Sequence, residues 1–412
     1  MAAPHHTAQK RVSVDQLKPG MFIHDLGTDW MSHGFLRSQF ALKNEAQIEK
    51  IRASGVRELY IDVARGLDIE DAPTRAEYEK ALEAHLHQAI AGAPASAARV
   101  TTREELVRAR EIQGRARSAV KNMMQDVRMG SSITLDTFEP LVEEITSSML
   151  RNSGAMLSLG ALKDADDYTF QHSVSVSTLM IALCRQLELD TDATREAGLG
   201  ALLHDVGKMK TPPAILNKPG KFTDAEFAIM KQHPVDGHAM LLATPGIGEV
   251  PLAITLYHHE RVDGSGYPEK RMQDAIPTVA QMAAIVDVYD AISSDRCYHK
   301  GMPPPEAVRK IFEWSKFHFN PGLVQAFVRC IGIYPVGALV RLESHRLAVV
   351  TGQHNNQLTQ PVVCAFYDTV KHRPLFPETI DLAESPGRGG GDRIVSHEDP
   401  AKWGVNPQQY LG

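Results

Sequence analysis

At 412 residues and 43% apolar content, the chain is longer than one hydrophobic core usually serves, so two or three globular domains are expected. Lys and Arg number 44 against 50 Asp and Glu, a formal charge of −6, which excludes a global basic field for a nucleic-acid polymer and leaves any anionic ligand to be met locally. Cys184, Cys297, Cys330 and Cys364 lie far apart with no C-x-x-C pair, which argues against a disulfide framework or a thiolate zinc site and for reduced thiols in a cytoplasmic protein.

Residues 1–67 open with no apolar export segment in Met1 to Arg11. They continue as short β-like runs, Val12 to Val14, Met21 to Ile23 and Glu58 to Ile61, around a helix from Asn44 to Ser54, which predicts a small α/β domain. Residues 68–100, rich in Ala, Glu and Pro, are expected to form a linker with one helix from Arg75 to Ile90. In 101–160 two helical patterns, Thr102 to Met129 and Asp136 to Asn152, with Leu141, Ile145 and Met149 at steps of four, predict a hairpin connector.

Residues 161–335 read as one all-helical domain of seven or so apolar segments separated by Gly and Pro. Thr223 and Glu226 form a capping box, and Pro277 suits a first helical turn. From 336 to 384 the pattern alternates as strands, a small β appendage, and 385–412 reads as a flexible tail poor in core residues. The fold class is therefore mainly α, with small mixed and β elements at its two ends. No run of about 18 apolar residues occurs, so membrane insertion is not expected.

Histidine is the unusual component, with 18 in the chain. His204-Asp205 stands at the end of the apolar run Leu199 to Leu203, followed by Val206-Gly207-Lys208. A neutral imidazole and a carboxylate are suitable ligands for divalent ions, and one carboxylate can bridge two of them. Alone, such a pair is more often a helix cap or a surface pair. His172 heads an apolar helix, His233 precedes the helix-breaking Pro234, His258-His259 close another helix, and each alone reads as a hydrogen-bonded core histidine. Asp287 is different: it lies inside Ala284-Ile285-Val286-Asp287-Val288-Tyr289, where an unpaired carboxylate carries a large desolvation penalty and calls for a cation. Five histidines and two aspartates on separate helices of one all-α segment point to metal binding.

These residues carry a family resemblance. His172, His204-Asp205 and Asp287 match the ligand order of the all-helical HD phosphohydrolases. Gly207-Lys208, His233-Pro234 and the run His258-His259-Glu260-Arg261-Val262-Asp263-Gly264-Ser265-Gly266-Tyr267-Pro268 resemble the narrower HD-GYP signature. Residues 11–67, with Leu17-Lys18-Pro19-Gly20-Met21, resemble a domain of unknown function often found ahead of HD-GYP domains. The resemblance implies a cyclic-di-GMP phosphodiesterase with metal ligands at His172, His204, Asp205, His233, His258, His259 and Asp287, Asp205 being the bridge. Iron or manganese fits that set. Some members hold a third ion through a glutamate four residues before the first histidine; Tyr168 occupies that place, with Asp166 and Asp167 off the spacing, so two ions are expected.

A phosphodiester requires an activated water and neutralisation of charge on its oxygens, which two ions a few Å apart supply through a bridging hydroxide. Asp205 and Lys208 are the expected catalytic residues, Lys208 also meeting a phosphate as a point charge. Arg296, able to grip phosphate bidentately, and Lys300 are expected substrate contacts, as are Gly266 and Tyr267 in the loop beside the metals, with linear pGpG or GMP as product. The partner so implied is c-di-GMP, with residues 1–160 expected to sense a signalling partner or form a homodimer. Two other readings use part of the same pattern. A different HD-type nucleotide phosphohydrolase needs neither His233, His258-His259 nor the Gly-Tyr-Pro loop, and a non-catalytic c-di-GMP receptor would be favoured by missing ligands, of which there are none.

Overall fold

Four short strands, Gln9–Ser13 (β1), Phe22–Asp25 (β2), Phe40–Ala41 (β3) and Glu58–Asp62 (β4), with helix Glu45–Ala53 (α1) between the last two, build the N-terminal domain. The strands pair antiparallel in the order β1-β4-β2-β3. Ile48 and Ile51 of α1 meet Val12, Ile23, Leu59 and Ile61 of the sheet in one core. Asn44 starts α1 by accepting the Gln47 N–H at 3.1 Å, so the expected helix and its flanking strands form as predicted. The computed structural model describes residues 8–27, 39–89, 100–160, 168–218, 220–294, 301–354, 357–384 and 391–411.

Arg75–Ala89 (α2) is the helix expected in the linker. Thr102–Arg128 (α3) and Phe138–Gly160 (α4) form the expected hairpin. Thr101 and Glu104 begin α3 with a reciprocal capping box. Ala109, Ile112, Ala116 and Val120 of α3 share a core with Leu141, Val142, Ile145 and Met149 of α4, and that core continues into the next two helices. α4 runs eight residues beyond the expected Asn152 end because Asn152 bends the helix rather than stopping it.

Tyr168–Gln186 (α5), Thr191–Leu203 (α6), Pro213–Leu216 (α7), Asp224–Met230 (α8), His233–Leu242 (α9), Glu249–Tyr257 (α10), Thr278–Ser293 (α11), Pro304–Trp314 (α12) and Pro321–Ile331 (α13) make up the helical domain. A 3-10 turn, Val206–Lys210, follows α6. Pro234 does not break a helix: it sits in the first turn of α9, where its missing N–H has no intrahelical partner to lose. The Thr223/Glu226 capping box forms as expected. The chain divides into two compact units, Met1–Gln88 with Asn217–Ala228, and Ala89–Leu216 with Ile229–Gly412. Residues 217–228, inside the span 161–335, group with the first unit, and within them Lys218 pairs with Glu226 at 2.6 Å.

Leu339–Leu342 (β5), Arg346–Gly352 (β6), Val362–Asp368 (β7), Arg373–Asp381 (β8) and Ile394–His397 (β9) form an antiparallel sheet in the order β8-β7-β6-β5-β9. Residues 391–411, expected within a flexible tail over 385–412, instead pack against the sheet. β9 pairs with β5, the helix Pro400–Trp403 (α14) follows, Tyr410 stacks on Phe366 with ring centroids 3.9 Å apart, and Leu411 is buried. Sparse aromatics anchor this segment to a sheet edge, a long-range pairing that local composition does not reveal. No helix among the described residues is long and apolar enough to cross a membrane.

One buried polar clamp locks the hairpin. Glu105 of α3, 1% exposed, accepts from Ser148 Oγ at 2.8 Å and from Arg151 Nε and Nη2 at 2.7 Å each. Burial alone would raise its pKa, but the hydrogen bonds from Arg151 and Ser148 outweigh it and hold the carboxyl below the ordinary 4.5. Glu105→Gln is expected to destabilise the helical domain by about 1–3 kcal/mol, read as a lower urea midpoint. Because the folded pKa is depressed, this contribution is present above the ordinary glutamate value and is lost as pH falls through the folded value. The gap between variant and native protein should therefore close in acid.

Candidate metal centre

The ends of helices carry the histidines, and that placement orients them. His204 follows the last residue of α6 and His258 the last residue of α10, positions where backbone carbonyls lack an intrahelical partner. His204 Nδ1 lies 2.7 Å from Ala201 O, His233 Nδ1 2.8 Å from Met230 O, and His258 Nδ1 2.9 Å from Thr255 O. A carbonyl only accepts, so each Nδ1 carries the proton and donates, and each Nε2 presents a lone pair. His172, in the first turns of α5, is held differently: its Nδ1 lies 2.6 Å from Asp290 Oδ2.

The remaining ring nitrogens converge on two carboxylates. Asp205 Oδ2 lies 3.4 Å from His204 Nε2 and 3.6 Å from His172 Nε2, while its Oδ1 lies 3.4 Å from His233 Nε2 and 4.0 Å from His258 Nε2. Asp287 Oδ1 stands 3.1 Å from His172 Nε2, and its Oδ2 stands 3.9 Å from His259 Nδ1. Three sets, His233-His258-His259, His172-His204-Asp287 and His204-Asp205-His258, each place their donor atoms within 4.8 Å of one another. All seven expected ligands are thus brought together, and all are buried.

Two atoms at the centre test whether these residues suit a cation. His204 Nε2 and Asp205 Oδ1 are buried without a hydrogen-bond partner. Such atoms are rare in a packed interior, and here a lone pair and a carboxylate oxygen face the same space. Burial, and then the neighbouring imidazoles, push His258 down to about 3 and His259 well below the usual range; burial pushes His233 down to about 4. At neutral pH these three are uncharged donors with no proton to displace. Burial would raise Asp205 and Asp287, but charge on His204 and Lys208 beside the first, and the His172 hydrogen bond to the second, keep both well below the carboxylate range; Asp205 in turn, against burial, raises His204, whose Nε2 proton a bound cation would displace. The donor set fits divalent metal.

Lys208 Nζ lies 2.5 Å from Asp205 Oδ2, held by the 3-10 turn one turn beyond the His-Asp pair. That turn packs tightly: a Cβ added to Gly207 would fall 2.0 Å from His233 O and 2.4 Å from Gly237 N, so only glycine lets α9 bring His233 to the centre. Gly266 is similarly constrained, its added Cβ falling 2.4 Å from Arg261 N. The Tyr267 ring stacks on His259 with centroids 4.7 Å apart. Arg296 and Lys300 lie outside the described residues, as do Asp166 and Asp167.

Sequence reasoning missed two residues. Asp290 orients His172, and its signal was available: a second carboxylate three residues beyond Asp287, on the same face of an apolar helix. Glu260, 2% exposed, accepts the backbone N–H of Glu269 at 2.7 Å and of Arg271 at 3.0 Å, closing the Gly-Tyr-Pro loop. Its place in the motif was visible, but its role depends on how the loop folds back.

Residues 158–323 match the family model described as HD domain, and residues 9–138 match a domain of unknown function, DUF3391, which extends well past the expected 11–67. A cyclic di-GMP phosphodiesterase of Pseudomonas aeruginosa is 45% identical over 96% of this chain and 93% of its own length. A cyclic di-GMP phosphodiesterase of Vibrio cholerae is 35% identical over 49% of this chain and 44% of its own. A 3'3'-cGAMP-specific phosphodiesterase of the same organism is 36% identical over 39% of this chain and 36% of its own. With the HD domain, the His and Asp set and a relative spanning nearly the whole chain, this protein belongs to the HD-GYP cyclic di-GMP phosphodiesterase family, in the arrangement that carries a DUF3391 domain ahead of the HD domain.

Proposed function

We propose that this protein hydrolyses c-di-GMP at a dinuclear centre held by His172, His204, Asp205, His233, His258, His259 and Asp287, with iron or manganese in it. The observation that carries this reading is Asp205. Its two oxygens face two different groups of imidazole nitrogens, and one of those oxygens is buried with no hydrogen-bond partner. The nearly full-length similarity to a cyclic di-GMP phosphodiesterase supplies the substrate. Buried and unpaired Cys184 and Cys364 support the cytoplasm as its compartment.

When bound, two divalent ions supply Lewis acidity, activation of water and charge neutralisation at a phosphodiester. The chain's own residues do the positioning. Helix-end carbonyls fix the tautomers of His204, His233 and His258, so their Nε2 atoms meet the centre without rearrangement. Lys208, partly exposed beside Asp205, supplies a point charge toward a phosphate arriving from solvent. Tyr267, on the face of His259, and Gly266 border the substrate, with Arg296 and Lys300 as further phosphate contacts. The described residues offer no evident general acid for the leaving oxygen.

Protein purified without oxygen should carry roughly two iron or manganese ions per chain. It should convert c-di-GMP to pGpG or GMP, with 3'3'-cGAMP assayed alongside for selectivity. The His204→Ala, Asp205→Ala variant should lose the metal and at least about a thousandfold in rate. Tight c-di-GMP binding with no turnover under either metal would identify a receptor instead. Asp290→Ala, which frees His172 Nδ1, is expected to weaken metal affinity about 10–100-fold in a chelator competition. Glu260→Ala should leave metal content unchanged and lower kcat/KM about 10–100-fold, because the loop bearing Tyr267 is no longer tied down.

A further inference from the structure

Behind the metal centre, on the far side of Asp290, α4, α5, α11, α13 and the end of β6 surround a cavity of about 270 Å³. None of the seven His and Asp residues of the centre lines it, whereas Asp290 does. An empty apolar void of that size is expensive in a packed interior, but this one has charged walls and therefore holds solvent or a ligand. Its volume falls just under the ~300–1,000 Å³ of ordinary small-molecule sites, which suits a compact molecule rather than a cyclic dinucleotide.

The walls specify the chemistry. Among the described lining residues, Arg185 and Arg329 bring two guanidiniums, and the acidic one, Asp290, pairs with His172, so this lining favours an anion. Arg185 is fixed at the wall through Nη1, which donates to Met149 O at 2.6 Å. Met156, Leu179 and Val336 supply an apolar side. Gln353 also lines the cavity, its Nε2 donating to Tyr334 O, and its Oε1 is buried without a partner, an acceptor suited to a donor on the ligand. At the rim, Asn152 departs from helical geometry and is braced there, donating to Val100 O at 2.9 Å and accepting from Ala155 N at 3.2 Å.

We infer that this cavity is a second binding site, for a small organic anion with an apolar body and a hydrogen-bond donor, connected to the metal centre through Asp290. A ligand there lies against the residue that sets the His172 imidazole, so occupancy alters how firmly one half of the centre holds its ion. Binding stands independently of the phosphodiesterase reading; the coupling rests on it.

The test is calorimetric titration of the full-length, metal-loaded protein with 4-hydroxyphenylacetate and, separately, its neutral amide. The acid is expected to bind with Kd of about 0.1–1 mM and the amide at least about tenfold more weakly. Arg329→Met should weaken the acid about tenfold, and Leu179→Trp, which fills the cavity, should abolish binding; melting curves confirm that both variants fold. The acid should also change the rate of metal loss to a chelator in the native protein and not in Leu179→Trp. No saturable binding, or binding unaltered by Leu179→Trp, overturns the site, and equal affinity for acid and amide overturns its anion preference. Binding without any effect on metal loss overturns the coupling. Because binding is read without hydrolysis, a chain that binds the acid but fails to cleave c-di-GMP would remove only the proposal of the preceding subsection.

Discussion

Two carboxylates buried in an all-helical interior, Asp205 and Asp287, are the constraint on which the rest of the structure depends. Removing an ionised carboxylate from water is strongly unfavourable unless it meets opposite charge or several donors. Asp287 is 6% exposed and Asp205 fully buried, yet both are held in the ionised form. Among the described residues, His204 and Lys208 stand at Asp205 and His172 near Asp287. Burial drives three of the imidazoles toward neutrality, so His233, His258 and His259 contribute lone pairs rather than protons. An excess of buried negative charge surrounded by lone pairs is a description of a cation site reached from electrostatics alone.

Geometry at that site comes from helix termini. Every helix end leaves carbonyls without partners, and burying them unsatisfied is unfavourable. His204, His233 and His258 each satisfy such a carbonyl with Nδ1 and in doing so aim Nε2 inward. One contact therefore completes a helix and sets a tautomer. This explains why the histidines sit at or just past helix ends rather than in the middles, and why close backbone approach at Gly207 matters. With a side chain there, α9 could not bring His233 against the 3-10 turn.

Much of this was legible in the chain. The apolar periods predicted α5, α6, α10 and α11, and an aspartate inside the apolar run of α11 marked the centre. What was not legible depends on long-range pairing. Ile394 to His397 joins β5 across some fifty residues of sequence, and its identity as a strand lies in its partner, not in its own composition. Pro234 misled because proline reads as a breaker, whereas in a first turn it is a starter. Asp290 lies three residues beyond Asp287 in the same buried helix, where the same desolvation penalty applies. Glu260 stood within the motif, but its acceptors' partners are backbone N–H groups nine and eleven residues away, set by the fold of the loop.

The two carboxylates just beyond the ligand set act in opposite directions from the centre. Glu260 faces outward, tying the loop that stacks Tyr267 on His259, so its influence falls on what approaches from solvent. Asp290 faces inward, between His172 and a charged cavity, so its influence falls on how the ion is held. Neither needs to touch substrate to matter. A centre whose ligands are fixed by buried helix ends has little freedom of its own, and change must enter through groups that are less constrained. His172 is such a group: its Nδ1 meets a side-chain carboxylate, where His204, His233 and His258 meet the backbone. A carboxylate on a rotatable side chain can yield where a helix carbonyl cannot, which makes the His172 half of the centre the place where a change elsewhere in the helical domain is felt first.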